Sequence, residues 1–193
     1  MSLHEGEFPI DVDLVRTLLA EQFPEWQDLP IRRLETSGTV SAVHRLGGDK
    51  VVRLPLIADF ARLPGREARW MPHLTPHVPL RVPVHLGLGK PSSVYPAEWS
   101  VLEWVPGVPA ADSTIADLDE AADALGAFVS ALRRVPTEPA PTEGTFRAGP
   151  LGRFDDDFRD WVERLPADVD RHAVLRTWEA CRSVGEWDAP PAW

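Results

Sequence analysis

Residues 34–55, LETSGTVSAVHRLGGDKVVRLP, constrain the fold of this chain more than any other stretch. Ala42-Val43-His44-Arg45-Leu46 and Lys50-Val51-Val52-Arg53-Leu54 are strand-like. Between them Gly47-Gly48-Asp49 is strong turn chemistry, because glycine supplies positive φ without a Cβ clash. Pro55 cannot donate to a sheet ladder and closes the second strand. An earlier strand enters through Ile31-Arg32-Arg33-Leu34-Glu35, and the polar loop Thr36-Ser37-Gly38-Thr39 joins it to the hairpin. A glycine- and hydroxyl-bearing loop beside a strand with one inward cation, Arg53, is a candidate phosphate cradle: backbone N–H groups and a fixed positive charge are what a polyphosphate needs. An ordinary hairpin fits the same residues.

Around this hairpin the pattern is mixed. Residues 11–22 place Leu14, Val15, Leu18 and Leu19 on one helical stripe, with Asp11 or Asp13 as N-cap and Pro24 as terminator. A second helix is expected over 58–78, broken early at Pro64-Gly65 and awkward at Pro72. It carries Glu67, which can pair with a cation on the preceding strand or stand as a solvated carboxylate. Pro79–Gly89 and Glu98–Val105 alternate as strands, with a hairpin loop over 90–96. Pro106-Gly107-Val108-Pro109 then stops the sheet, so the expected organisation is a lobe over 1–105 and a helical lobe over 106–193. In the second lobe a helix is predicted over 113–134, capped by Ser113 or Thr114, with Leu118, Leu125, Phe128, Val129 and Leu132 as its apolar face. A proline- and glycine-rich loop over 136–152 leads to helices over 154–165 and 169–184, in which Trp161, Trp178 and Cys181 are expected to pack inside.

Bulk properties narrow the function. With 20 Lys and Arg against 30 Asp and Glu, the net charge of −10 disfavours nucleic acid and anionic membranes as partners. Only Lys50 and Lys90 are lysine, so arginine supplies nearly all the positive charge. One cysteine excludes an internal disulfide and a cysteine-based zinc site. No apolar run approaches the ~20 residues of a membrane span, and the acidic N-terminus has no signal-peptide core; a cytoplasmic location is expected. His73 and His77 stand four apart, but Pro72 and Pro76 disfavour a regular helix through the pair and no third ligand lies nearby. Asp155-Asp156-Asp157 suits a charged first helical turn better than a Mg²⁺ site. No metal-ligating residue is expected.

The order of hairpin, strand with a cation, helix with a glutamate, two strands, proline-glycine connector and helices resembles a protein-kinase-like small lobe leading into a helical lobe. More specifically, TSGTVSAVHRLGGDKVVRLP, GREARWMPHLTPHVPLRVPVHLGLGKP and WSVLEWVPG together resemble the aminoglycoside/macrolide phosphotransferase family, over roughly residues 30 to 193. The resemblance implies an α+β fold of that kind, an antiparallel-sheet N-lobe with a helix and the beginning of a helical C-lobe. It implies ATP or GTP with Mg²⁺ as cofactor and a small-molecule hydroxyl as acceptor. By the same resemblance Ser37, Gly38, Thr39 and Ser41 would cover the phosphates. Arg53 would take the place of the strand lysine, with Glu67 as its helix partner. The Glu103 carbonyl and the Val105 N–H would meet the purine edge. Arginine at position 53 keeps the charge and adds a planar fork.

The family's chemistry uses a His-x-Asp-x-x-x-x-Asn loop and a later metal-binding aspartate. Neither occurs in these 193 residues, where His172 is followed by Ala173-Val174. In the family that loop would begin just after a segment like 187–193. The expectation is therefore the front portion of a small-molecule kinase, without catalytic residues or Mg²⁺ ligands of its own, inactive alone and prone to self-associate through surface left uncovered by truncation. The alternatives are a non-catalytic nucleotide-binding or interaction module on a kinase-like small lobe, and a plain α+β domain with an accidental match.

Overall fold

A computed structural model describes residues 5–35, 38–110, 115–136 and 151–185. The chain divides into two compact units, 1–132 and 133–193. The expected boundary after residue 105 marks where the sheet ends; the break in compactness comes later, after residue 132.

The first unit is built on a five-stranded antiparallel sheet of order β1-β2-β3-β5-β4, with β1 Ile31–Leu34, β2 Ser41–Leu46, β3 Lys50–Pro55, β4 His85–Gly89 and β5 Trp99–Glu103. The β2–β3 hairpin pairs Leu46 with Lys50 across the Gly47-Gly48-Asp49 turn, and Gly47 has φ 59°. That left-handed conformation is the reason for glycine there. β4 is much shorter than the expected strand over 79–89. Pro79 and Pro83 have no N–H for a ladder, and pairing begins only where the Glu103 N–H donates to the Val84 carbonyl at 2.8 Å.

Period-two alternation divides the sheet into two faces. Ala42, His44, Leu46, Val52, Leu54, Trp99 and Val101 form one buried face. Helix α1, Val12–Gln22, packs on the same core through Val15, Leu18 and Leu19, each 0 % exposed. Burial of each leucine contributes about 1.5–3 kcal/mol. The Asp11 carboxylate caps this helix by accepting from the Leu14 N–H at 2.8 Å.

Helix α2, Leu63–Leu74, is not broken at Pro64-Gly65; it begins there. Proline in the first turn forfeits only an N–H that has no intrahelical partner. The Gly65 N–H donates instead to Glu98 Oε2 at 3.0 Å, so a carboxylate from outside the helix caps it. A Cβ on Gly65 would sit 2.4 Å from that oxygen, so any larger residue would make the Glu98 carboxylate shift. Pro72 lies inside the helix near its end.

Helix α3, Leu118–Leu132, starts later than expected. Its cap is the Asp117 carboxylate, which accepts from the Glu120 N–H at 2.9 Å; Ser113 and Thr114 fall outside the described residues. The expected apolar face is not buried: Leu118, Leu125 and Val129 are 70 %, 60 % and 52 % exposed.

In the second unit α4, Asp155–Glu163, pairs with α5, Arg171–Ser183. Phe158 stacks on Trp178 at 4.1 Å between ring centroids, and Trp178 Nε1 donates to Asp155 at 2.7 Å. Asp155 is also held by Arg159 and Arg182, and the Trp178 and Arg159 hydrogen bonds keep its carboxyl below the usual range. The aspartate triplet thus begins with a structural tie. Two expectations fail here. Trp161 is 72 % exposed because the buried stripe of α4 runs through Phe158 and Val162, and Cys181 is exposed.

Candidate functional site

The face of the sheet opposite α1 carries the candidate residues. The registers Val43↔Arg53↔Ser100 and Arg45↔Val51↔Leu102 define adjacent rows on it, and Ser41↔Pro55 adds the next row beyond Arg53. α2 packs against β4 and β5. From there Glu67 reaches Arg53, with Glu67 Oε2 accepting from Arg53 Nη1 at 3.1 Å. The pair is partly open, with side chains 33 % and 27 % exposed. The Glu98 cap on the first turn of α2 fixes that helix two residues before Glu67. A remote hydrogen bond thus sets the direction of the cation.

The remaining expected residues lie at the two ends of this strip. Ser41 opens β2 on Arg53's face, and Gly38 and Thr39 precede it, both exposed. The Leu56 N–H donates to the Val40 carbonyl at 2.9 Å and ties the loop to the end of β3. Ser37 lies outside the described residues. At the opposite end Glu103 closes β5, and its carboxylate accepts from Arg81 Nη2. The Trp104 N–H donates to the Asp49 carbonyl at 2.8 Å. The Val105 N–H meets no acceptor among the described residues. Val51 with Leu102, Arg53 with Ser100, and Ser41 thus occupy successive rows of one face, with the Val105 N–H beyond the end of β5 and the Gly38-Thr39 segment before the start of β2.

Histidine 85 is a further residue on this face, paired with Leu102. Its Nδ1 is buried without a partner among the described residues, and burial and then the Arg53 charge hold its pKa below the ordinary value. Sequence reasoning also missed Glu98, Arg45 and Trp104. Counting in twos back from Arg53 through the three-residue turn finds Arg45; nothing in the sequence signals that Glu98 caps α2.

Among the described residues no group of three or more His, Cys, Asp or Glu comes together as a metal site. His73 and His77 lie with ring centroids 6.3 Å apart and edge to face, without a third ligand of that kind. No described helix is long and apolar enough to cross a membrane.

Comparison with known proteins agrees with this architecture. The GDP and kanamycin complex of an aminoglycoside phosphotransferase superposes with TM-score 0.71 at 20 % identity, over 88 % of this chain and 59 % of that one. The GDP complex of the wild-type aminoglycoside 2′-phosphotransferase-IIIa gives 0.70 at 21 %, over 86 % and 57 %. The apoenzyme of a macrolide 2′-phosphotransferase from Brachybacterium faecium gives 0.59 at 25 %, over 88 % and 59 %. The chain thus spans less than two thirds of the length of these structures. No curated protein sequence matches it. The model of the phosphotransferase enzyme family matches residues 31–192. Spanning the sheet, the Arg53–Glu67 pair and helices α2 to α5, that match makes the chain a member of the phosphotransferase enzyme family.

Proposed function

We propose that this chain carries the nucleotide-binding lobe of a phosphotransferase that moves the terminal phosphoryl group of ATP or GTP to a hydroxyl of a small molecule. The acceptor class is an aminoglycoside- or macrolide-type antibiotic, or a metabolite. The observation that carries the reading is the Arg53–Glu67 ion pair at 3.1 Å on the open face of the sheet. Glu67 orients the guanidinium, and its planar fork offers parallel N–H donors to phosphate oxygens. The backbone around Gly38 and Thr39, with the Ser41 hydroxyl, would close over the phosphates, and Ser37 belongs with them in this reading. The Val105 N–H and the Glu103 carbonyl would take the purine edge, with Val51 and Leu102 beneath the ring. Bound Mg²⁺ would supply charge neutralisation between phosphates, and no described residue is assigned to it.

The reading extends to what these 193 residues do unaided. They contain no His-x-Asp-x-x-x-x-Asn sequence, so no group is assigned to orient the acceptor hydroxyl, and by themselves they bind nucleotide without turning it over. A cytoplasmic setting, where ATP and GTP are abundant, fits that role.

The test is calorimetric titration of the 193-residue protein with ATP and with GTP in the presence of Mg²⁺. Arg53→Ala should weaken binding by about tenfold or more, the worth of one charge-assisted phosphate contact. Wild-type protein that binds neither nucleotide ends the proposal. Robust γ-phosphoryl transfer by this chain alone would contradict the second part of it.

A further inference from the structure

The connector after β5 is held from two sides, at two successive residues. On one side stands the β2–β3 turn. The Trp104 N–H donates to the Asp49 carbonyl at 2.8 Å, and the Arg45 guanidinium lies over the Trp104 ring with its central carbon 4.0 Å from the ring centroid. The backbone bond fixes more than the N–H. The Trp104 N–H and the Glu103 carbonyl belong to one planar trans peptide and point in opposite directions. Anchoring the N–H on the turn therefore aims the Glu103 carbonyl away from it.

On the other side runs the segment before β4. The Glu103 N–H donates to the Val84 carbonyl at 2.8 Å, and Arg81 Nη2 donates to Glu103 Oε1 at 2.5 Å. Pro79 and Pro83 carry no N–H, so this segment cannot run the regular β4 ladder on alongside the connector. An ion pair stands where ladder bonds would otherwise be. Its side chains are 58 % and 34 % exposed. A pair that open to water adds little to overall stability. What it does is local: it holds Glu103 against residues 81–84 while the turn holds Trp104. Both peptides that flank the Glu103 carbonyl and lead to the Val105 N–H are thereby fixed in advance of any ligand.

We infer that Arg81 is a positioning residue for the base of the nucleotide. Through the Glu103 carboxylate it holds the connector in the conformation that presents the Glu103 carbonyl and the Val105 N–H together, so that binding does not have to order them. This rests on the nucleotide-binding reading above and adds a residue that acts on the base without touching it. Because one guanidinium nitrogen makes the contact, a point charge of similar reach can replace the fork.

The test compares ATP and GTP with inorganic tripolyphosphate on the 193-residue protein, by calorimetry, for wild type, Arg81→Ala and Arg81→Lys. Arg81 is exposed and lies outside every described helix and strand, so its replacement should leave the fold intact. In Arg81→Ala the nucleotide that wild type binds should bind about three- to fivefold more weakly, the reach of one open ion pair, with tripolyphosphate unchanged. Arg81→Lys keeps the cation and should bind at least twofold more tightly than Arg81→Ala. A smaller loss in Arg81→Ala overturns the assignment. So does equal weakening of nucleotide and tripolyphosphate, which would make Arg81 a general cation, and so does a lysine variant no better than the alanine one. Should tripolyphosphate bind too weakly to read, the lysine rescue decides. Wild-type protein that binds no nucleotide is a different result, visible before any variant is made, and defeats the underlying reading.

Discussion

Replacing Gly89 by alanine tests the packing that joins the edge strand β4 to β5. Gly89 ends β4 and pairs with Trp99 on β5. A Cβ built there would lie 2.0 Å from Trp99 Cε2 and 2.1 Å from its Nε1. An ordinary van der Waals contact begins at 3.4 Å, so the ring has to move by more than an ångström. It has nowhere to go. Trp99 is 0 % exposed, is met edge-on by Phe23 at 5.3 Å and sits within the cluster containing Leu18, Leu19 and Val101. Overpacking of a tight core costs about 1–3 kcal/mol, and an overlap with a rigid indole belongs at the upper end, about 3 kcal/mol. Equilibrium urea denaturation followed by far-UV circular dichroism measures it, with m unchanged if only stability is altered. The double variant separates cause from coincidence. Trp99→Leu alone should cost about 2–4 kcal/mol through the cavity it leaves, but adding Gly89→Ala to it should cost less than about 1 kcal/mol, because the colliding atoms are gone. Additive losses, or a Gly89→Ala protein within about 1 kcal/mol of wild type, would refute the reasoning.

Two further outcomes follow from the geometry. Glu98→Ala removes the carboxylate cap of α2 and should destabilise the fold by about 1 kcal/mol, within the usual range for a lost N-cap; nucleotide affinity should fall with it, because Glu67 on that helix orients Arg53, and calorimetry alongside denaturation reads both. Stability should also decline in mild acid. His44 is 0 % exposed, neither ring nitrogen has a partner among the described residues, and burial, then the Arg33 charge, lower its pKa from 6.5, opposed by Asp11. A lowered folded-state pKa means the unfolded chain takes up the proton first. The stability is therefore fully present above pH 6.5 and is lost as pH falls below it toward the folded value. His85 acts in the same direction. His44→Leu should flatten the stability profile below pH 6.5, and an unchanged slope measured by urea titration across that range would contradict the account.

The sequence by itself determined the β2–β3 hairpin, because a glycine-rich turn and a terminal proline act locally and leave the backbone few choices. It also determined the stripe of α1 and the presence of one cation and one glutamate at the spacing that became the Arg53–Glu67 pair. Those are short-range properties, carried by periodicity and by residues that restrict their own backbone. Tertiary structure decided the rest. Pro64-Gly65 reads as a helix breaker until Glu98, 33 residues on, arrives to cap the first turn. The strand expected from residue 79 begins at His85, since pairing depends on which neighbour can accept and donate, not on alternation alone. Leu118, Leu125 and Trp161 look like core by composition and are exposed, because a helical stripe only states which residues would be buried together, not whether anything covers them. Arg45 and Trp104 are 59 positions apart, and only the closing of the sheet brings the guanidinium over the ring. Long-range pairing is the physical reason: its energy lies in contacts between segments, and no window of sequence contains both partners.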